Sequence, residues 1–98
     1  MSLTDAQRKY LRRLGHDRNP IVLVGQGGIS PNLVAELDQA LGHHELVKVR
    51  ARVGDRDLRD EILDALATQT RAELVQRIGH VALFYRANPE KPGILLPA

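Results

Sequence analysis

Apolar residues recur along this chain with two different periods, and each period predicts its own kind of element. Spacings of three and four residues, which place apolar side chains on one face of a helix, occur in three segments: 4–15, 31–41 and a segment that begins at about residue 55. Short apolar or alternating runs, which are typical of strands, occur at 21–24, 46–53, 74–78 and 81–85. The pattern therefore predicts the order helix, strand, helix, strand, helix, strand, strand.

This order is typical of an α/β domain built from crossover units. Two successive strand–helix–strand units predict parallel strands with right-handed crossovers, and the two-residue connection Gly79-His80 predicts a hairpin that adds an antiparallel strand. We therefore expect a single two-layer domain with a four-stranded mixed sheet. The proline-containing segment 87–98 should be a C-terminal extension, and the pattern does not predict where it docks.

Individual residues mark the ends of the predicted elements. Thr4 and Gln7 have the spacing of a capping box at the start of the first helix. Gly15 and Gly42 are expected to end the first and second helices. Four consecutive aliphatic residues, 21–24, predict a short strand that is buried on both faces.

A glycine-rich loop, Gly25-Gln26-Gly27-Gly28, joins the first strand to the second helix. Glycine lets the backbone turn tightly and lets a ligand approach it closely. Ser30 and Pro31 follow as an N-cap and a first-turn proline. The loop thus leads into a helix N-terminus, where unpaired N–H groups and the helix dipole favour an anion such as a phosphate. The loop lacks the lysine of a Walker motif and the third glycine of a dinucleotide fingerprint, which disfavours a small nucleotide.

Two groups of cations flank this loop in the sequence. The first helix carries four on one surface, namely Arg8, Lys9, Arg12 and Arg13. The alternating strand carries Lys48, Arg50 and Arg52 on the face opposite its valines. Each group either contacts phosphates or keeps an exposed helix face or edge strand soluble. Proximity to the loop favours phosphate contact for the helix group, and both interpretations stay open for the strand group.

The composition is that of one small domain. The chain has 98 residues, a formal net charge of +2 and no cysteine, so neither a disulfide framework nor thiolate chemistry is available. The N-terminal residues lack the apolar segment of a secretory signal. No run approaches the ~20 apolar residues of a membrane span. We therefore expect a soluble, unprocessed, cytoplasmic protein.

Candidate metal ligands and catalytic groups are present but poorly arranged. His43, His44 and Glu45 are adjacent at a predicted helix-to-strand junction, where they do not easily converge on one ion. The carboxylates of the third helix cluster near its start, where acids complement the helix dipole. Without cysteine, and with four histidines scattered among loops and junctions, we expect no metal, no cofactor and no enzymatic activity.

Several motifs together resemble a known family. They are Leu3-Thr4, Leu11 and Leu14 with His16, Pro20, a GxxG loop at Gly25–Gly28, Ala40-Leu41, His44-Glu45-Leu46-Val47-Lys48-Val49, Ile78-Gly79 and Tyr85-Arg86. Their combination resembles the YhbY-type RNA-binding domain, also called the chloroplast RNA splicing and ribosome maturation (CRM) domain. The likeness extends over residues 3–86, which would form the domain core. A GxxG loop followed by the His44–Val49 motif is far more specific than the loop alone.

The resemblance implies a fold similar to the C-terminal domain of translation initiation factor three. It also implies that the GxxG loop clamps RNA backbone, as the related loop of KH domains does. The RNA-binding residues carried over or favoured on this basis are Gly25, Gln26, Gly27, Gly28, Arg8, Arg12, Arg13, Lys48 and Arg50. Many relatives carry a lysine or another polar residue inside the loop, whereas Gln26-Gly27 brings no charge. Flanking cations should therefore supply more of the electrostatic attraction.

The expected function is RNA binding in ribosome assembly, because single-domain bacterial members of the family resemble factors that associate with the precursor of the large subunit. The alternative is a protein–protein interaction module within a ribosome-associated complex, since the second strand's edge and the apolar tail could dock a partner. Salt dependence separates the two. RNA binding through several phosphates weakens steeply with salt, by ~0.7 to 0.9 log units per decade for each phosphate neutralised.

Overall fold

The protein has three helices and four strands in the predicted order. A computed structural model describes residues 3–98. The helices are α1 (Asp5–His16), α2 (Pro31–His44) and α3 (Arg56–Thr70), and the strands are β1 (Val22–Val24), β2 (Leu46–Ala51), β3 (Glu73–Ile78) and β4 (Val81–Tyr85). Among these described residues, no helix is long and apolar enough to cross a membrane.

The strands form one mixed sheet with the spatial order β1-β2-β4-β3. β1 pairs with β2 in parallel, and β4 pairs antiparallel with both β2 and β3. The four-stranded mixed sheet is thus confirmed. Because β4 lies between β2 and β3, the second crossover joins two strands that point the same way without being neighbours.

The predicted α/β domain is confirmed, and α1 adds a layer to it by packing on the face of the sheet opposite α2 and α3. Leu37 of α2 and Leu63 of α3 pack in one core cluster with Val49. Leu11 of α1 packs in a second cluster with Leu46 on the opposite face. Successive residues of a strand point to opposite faces. The buried pair Leu46-Val47 therefore requires cover on both sides, which the alternation from Val47 onward did not indicate.

β1 is an edge strand with one open face, in contrast to the predicted strand that is buried on both faces. Val22 and Val24 are buried, whereas Ile21 and Leu23 are 53% and 55% exposed. The physical reason is the position of α1, which lies over β2, β4 and β3. The outer face of β1 is left uncovered.

The predicted capping box is present, but two glycines have other roles than ending helices. Thr4 and Gln7 exchange backbone-to-side-chain hydrogen bonds of 3.0 and 3.1 Å. Gly15 lies inside α1, and a Cβ there would stand 2.7 Å from a methyl carbon of Leu83, so a larger residue would have to displace the Leu83 side chain. α2 likewise continues beyond Gly42 to its C-cap at Glu45.

The C-terminal extension docks beside α1 and is held by Glu45. The Glu45 carboxylate is buried and accepts hydrogen bonds from the backbone N–H groups of Asn88, Gly93 and Ile94 at 2.6, 2.7 and 2.9 Å. Ile94 and Leu96 pack against the Leu11 cluster. We call these three hydrogen bonds and their acceptor the tail clamp.

Candidate nucleic-acid interface

The GxxG loop is a tight four-residue turn between β1 and α2. The N–H of Gly28 donates to the carbonyl of Gly25 at 3.1 Å. Gly28 has a φ of 74°, a conformation that favours glycine. A Cβ at Gly25 or Gly27 would meet no atom within 4 Å. Gly28 therefore fixes the turn, while the other two glycines border open space.

Free hydrogen-bond donors of this region lie both in the turn and at the helix start. Among the described residues, the backbone N–H groups of Gln26 and Gly27 have no protein acceptor. At the start of α2, the N–H of Leu33 donates to the Ser30 hydroxyl at 3.1 Å, and Pro31 has no N–H. The N–H of Asn32 has no acceptor among the described residues, so the turn and the start of α2 can bind an anion together.

Two further segments meet the turn at the same edge of the sheet. The N–H of Arg52 donates to the Val24 carbonyl at 2.8 Å, and the N–H of Ala51 donates to the His80 carbonyl at 2.7 Å. A shallow cleft of about 240 Å³ lies between these segments, lined by Gln26, Arg52, Val53, Gly54 and His80. We call the turn Gly25–Gly28 together with Arg52 and His80 the loop edge.

Of the cations predicted to bind RNA, Arg50 lies nearest this edge. It pairs in register with Leu23 of β1, and its side chain is exposed. Lys48, two residues earlier, points its ammonium at the end of α1 and donates to the carbonyl of Arg18 at 3.0 Å. Cations near a helix C-terminus are favoured by the helix dipole. Lys48 is thus part of the packing of α1, whereas Arg50 has a free guanidinium among the described residues.

Arg8 lies at the opposite corner of the sheet. Its guanidinium forms an ion pair with Glu73 at 3.5 Å and donates to the Leu74 carbonyl at 3.2 Å. Glu73 lies level with Leu46, at the start of β2, because both pair with the same residue of β4. The turn lies at the other end of β2, because it directly follows the β1 residue that pairs with the last residue of β2. The length of β2, about 17 Å at 3.3 Å per residue, therefore separates Arg8 from the loop edge.

Arg12 and Arg13 are exposed on α1. They lie away from Leu11 and Gly15, the buried residues by which α1 packs on the sheet. The structure thus brings the GxxG turn together with Arg50, but it spreads the helix cations over a different layer. A single phosphate-binding site cannot include all the predicted residues, although an extended RNA could reach several of them.

Arg52 and His80 join the candidate site, although neither was among the predicted RNA-binding residues and Arg52 was named only as one of the strand cations. The signal for Arg52 was available, since a parallel strand–helix–strand unit brings the carboxyl ends of its two strands to the same edge. The signal for His80 was weaker, because it depends on β4 pairing with β2 rather than with β1.

Three acidic side chains at or near α3 are engaged in ion pairs or in capping the helix. Asp60 and Asp64 of α3 form ion pairs with Arg77 at 3.5 Å. Asp55 caps α3 by accepting the N–H groups of Asp57 and Leu58, as carboxylates at a helix start commonly do. No acidic residue lines the cleft of the loop edge. The local electrostatics of this edge therefore favour an anionic ligand.

The predicted His-His-Glu junction has a structural use. Glu45 turns inward with a φ of 61° and serves the tail clamp, while His43 and His44 remain on the surface. Within residues 3–98, no three side chains of the metal-binding types lie together.

Comparison with known proteins identifies related sequences over most of the chain. A family model described as the CRS1 / YhbY (CRM) domain matches residues 3–86. A Pseudomonas aeruginosa protein named "Probable RNA-binding protein" is 43% identical over 90 residues, which cover 92% of this chain and 86% of the relative. A Haemophilus influenzae protein named "RNA-binding protein" is 38% identical over 89 residues, covering 91% and 90% of the two chains.

A solved structure supports the same relationship. The solution structure of a hypothetical protein from Staphylococcus aureus superposes with a TM-score of 0.83 at 40% sequence identity. The match covers 98% of this chain and 100% of the other. The similarity in fold and in sequence therefore includes most of the C-terminal extension.

Proposed function

We infer, because the chain belongs to the CRS1 / YhbY (CRM) domain family, that it binds RNA through the loop edge. The names of its bacterial relatives support RNA as the ligand. The observation that carries the proposal is the pair of unpartnered N–H groups at Gln26 and Gly27 beside the exposed Arg52.

In this proposal the turn holds one phosphate of the RNA backbone. Open space at Gly25 and Gly27 lets the phosphate approach the main chain, and the N–H groups of Gln26 and Gly27 donate to its oxygens. Arg52 neutralises the same phosphate or the next one. Phosphate contacts of this kind position an RNA without reading its sequence. Specificity for a given RNA must then come from other contacts.

The finer proposal is a role in assembly of the large ribosomal subunit. Its support is the resemblance of residues 3–86 to stand-alone bacterial members of the family, which points to large-subunit ribosomal RNA or its precursor particle. The expected cytoplasmic location belongs to the same proposal.

The test is the binding of two nearly isosteric variants, Gly27→Asp and Gly27→Asn, to purified large-subunit ribosomal RNA over a range of salt. Both side chains fit the open space at Gly27, so the difference between the variants isolates the added charge. We expect Gly27→Asp to bind at least about tenfold more weakly than Gly27→Asn, because a carboxylate ~4 Å from a phosphate is strongly repelled.

Circular dichroism and thermal unfolding serve as folding controls for both variants. Equal, salt-sensitive affinities of the two variants would contradict the proposal that the turn holds a phosphate. Binding to precursor particles but not to the RNA, without salt dependence, would favour the alternative of a protein-binding module.

A further inference from the structure

An open row of side chains crosses the α1-bearing face of the sheet next to the loop edge. Strand pairing aligns Leu23 with Arg50, Arg50 with Val81, and Val81 with Ile78. α1 ends before it reaches this row. Leu23 and Ile78 at its two ends are consequently 55% and 65% exposed. We call these four residues the outer row.

A cavity of about 230 Å³ lies between the outer row and the end of α1. Its lining comprises His16, Lys48, Gln76, Ile78, Val81 and Leu83. Ile78, Val81 and Leu83 supply apolar walls. The Lys48 ammonium donates to the Arg18 carbonyl at 3.0 Å, which fixes it as part of the wall. Gln76 supplies an amide donor and an amide acceptor.

This combination of groups suits a nucleobase. A base has two flat faces that pack on apolar side chains or on a planar guanidinium such as that of Arg50. It also has a polar edge that an amide such as Gln76 can hydrogen-bond. A base that is paired and stacked in an A-form helix is not accessible in this way, whereas an unpaired base is.

We propose that the outer row and its cavity bind an unpaired base of the RNA whose backbone the loop edge holds. The inference deepens the proposed function and rests on it. Leu23 is separated from Gly25 by Val24 alone, so the two surfaces are continuous along the chain. The row itself spans three interstrand spacings, about 14 Å in all.

Charge also favours RNA as the occupant of this surface. No side chain of the outer row or of the cavity lining is acidic, and Arg50 stands within the row. The acids of α3 lie on the opposite face of the sheet, where their helix packs. A strand of RNA can therefore leave the turn and cross the row without meeting a like charge from the sheet.

The test compares two neutral substitutions of exposed apolar residues. Ile78→Asn alters the outer row, and Leu95→Asn alters a residue in the tail that is 79% exposed. Each variant is titrated with a short single-stranded oligoribonucleotide and with a blunt RNA duplex of the same length. We expect Ile78→Asn to bind the single strand about tenfold more weakly, because it loses much of the contact with the isoleucine side chain.

The same variant should bind the duplex as the wild type does, and Leu95→Asn should bind both RNAs normally. Gln76→Ala provides a second, independent variant at the polar side of the cavity, and it should also lose affinity for the single strand alone. Equal losses for both RNAs, or no loss in folded Ile78→Asn and Gln76→Ala, would overturn the base site.

These outcomes separate the two proposals. If Gly27→Asp still weakens binding while Ile78→Asn and Gln76→Ala do not, the base site falls and the proposed function stands. If the wild type binds no RNA, both fall. If the wild type self-associates and Ile78→Asn abolishes that association without affecting RNA binding, the row is a contact between protein copies and the base site is overturned.

Discussion

The two ends of β2 both present backbone N–H groups to an anion, but only one end receives the anion from the chain itself. At the first end, the carboxylate of Glu45 accepts three N–H groups of the tail between 2.6 and 2.9 Å. At the other end, the N–H groups of Gln26 and Gly27 have no acceptor among the described residues. The first arrangement is complete within the chain, and the second offers the donors that we propose bind a phosphate of RNA.

The cations follow the same division. Near the tail clamp, Arg86 is paired with Asp38 at 2.6 Å, and Arg8 is paired with Glu73 at 3.5 Å. Near the turn, Arg50 and Arg52 are exposed and have no acidic partner among residues 3–98. Basic residues that look alike in the sequence therefore have different roles, and the presence or absence of an acidic partner distinguishes them.

The largest effect on stability should come from Glu45→Ala. The substitution leaves three backbone N–H groups of the tail without their acceptor, so we expect the free energy of unfolding to fall by about 2–4 kcal/mol. Chemical denaturation measures this loss. Glu90→Ala is the matched control, because Glu90 is an exposed acid in the same tail.

RNA affinity of the folded Glu45→Ala protein should stay close to that of the wild type, since the tail clamp is at the far end of β2. If the free energy of unfolding fell by less than about 1 kcal/mol, which is within the range of ordinary substitutions, the result would contradict the role of Glu45. A parallel loss of RNA affinity would break the division between the two ends.

Smaller effects should follow from Arg52→Ala and Arg8→Ala. The first substitution should affect RNA binding and not stability, and the second should affect stability and not RNA binding. Arg52→Ala should reduce the slope of log affinity against log salt by about 0.7–0.9, the value for one phosphate contact, without changing stability. Arg8→Ala should leave that slope unchanged. It should lower the free energy of unfolding by at most ~1 kcal/mol, because the Arg8–Glu73 pair is partly exposed.

Fluorescence-based RNA titrations over a salt series and urea unfolding of both variants provide these values. The opposite result, a smaller slope for Arg8→Ala and an unchanged slope for Arg52→Ala, would move the phosphate contacts to the corner of the sheet where Arg8 lies.

The smallest effect concerns pH near the tail clamp. Burial, and to a lesser degree the charge of Glu45, raise the pKa of Tyr85 above its ordinary value of 10.0. A raised pKa means that the folded state holds the proton more tightly than the unfolded state. This contribution to stability is therefore complete below pH 10 and is lost as the pH rises through the folded-state pKa.

Tyr85→Phe should remove that alkaline loss. The unfolding free energy of the wild type, measured by denaturation at a series of pH values, should fall relative to that of Tyr85→Phe only at alkaline pH. A constant difference between the two proteins at all pH values would show that Tyr85 ionisation does not contribute.

Local patterns in the sequence predicted most of the fold. The capping box at Thr4, the alternation in β2 and the hairpin at Gly79-His80 depend on neighbouring residues, and each is present in the structure. The face of the sheet that α1 occupies depends on distant packing. There Gly15 packs close to Leu83, a residue far away in the chain, and no local pattern predicts this packing.

The candidate site was predictable to the same extent. The glycine turn is local and was identified, and the tail clamp was missed because Glu45 adopts a positive φ and binds residues more than 40 positions away. The role of Lys48 was left open for the same reason, since its contact with the end of α1 joins residues that the sequence separates by 30 positions. Whether a charged side chain is free depends on tertiary contacts of this kind.

The most direct test of the central claim is an NMR titration of the backbone amides with a short RNA that the wild type binds in a salt-sensitive manner. The account predicts that the amides of Gln26, Gly27 and Arg52 shift most, while those of Gly93 and Ile94 in the tail clamp remain where they are. Large shifts in the tail with an unchanged glycine turn would contradict it.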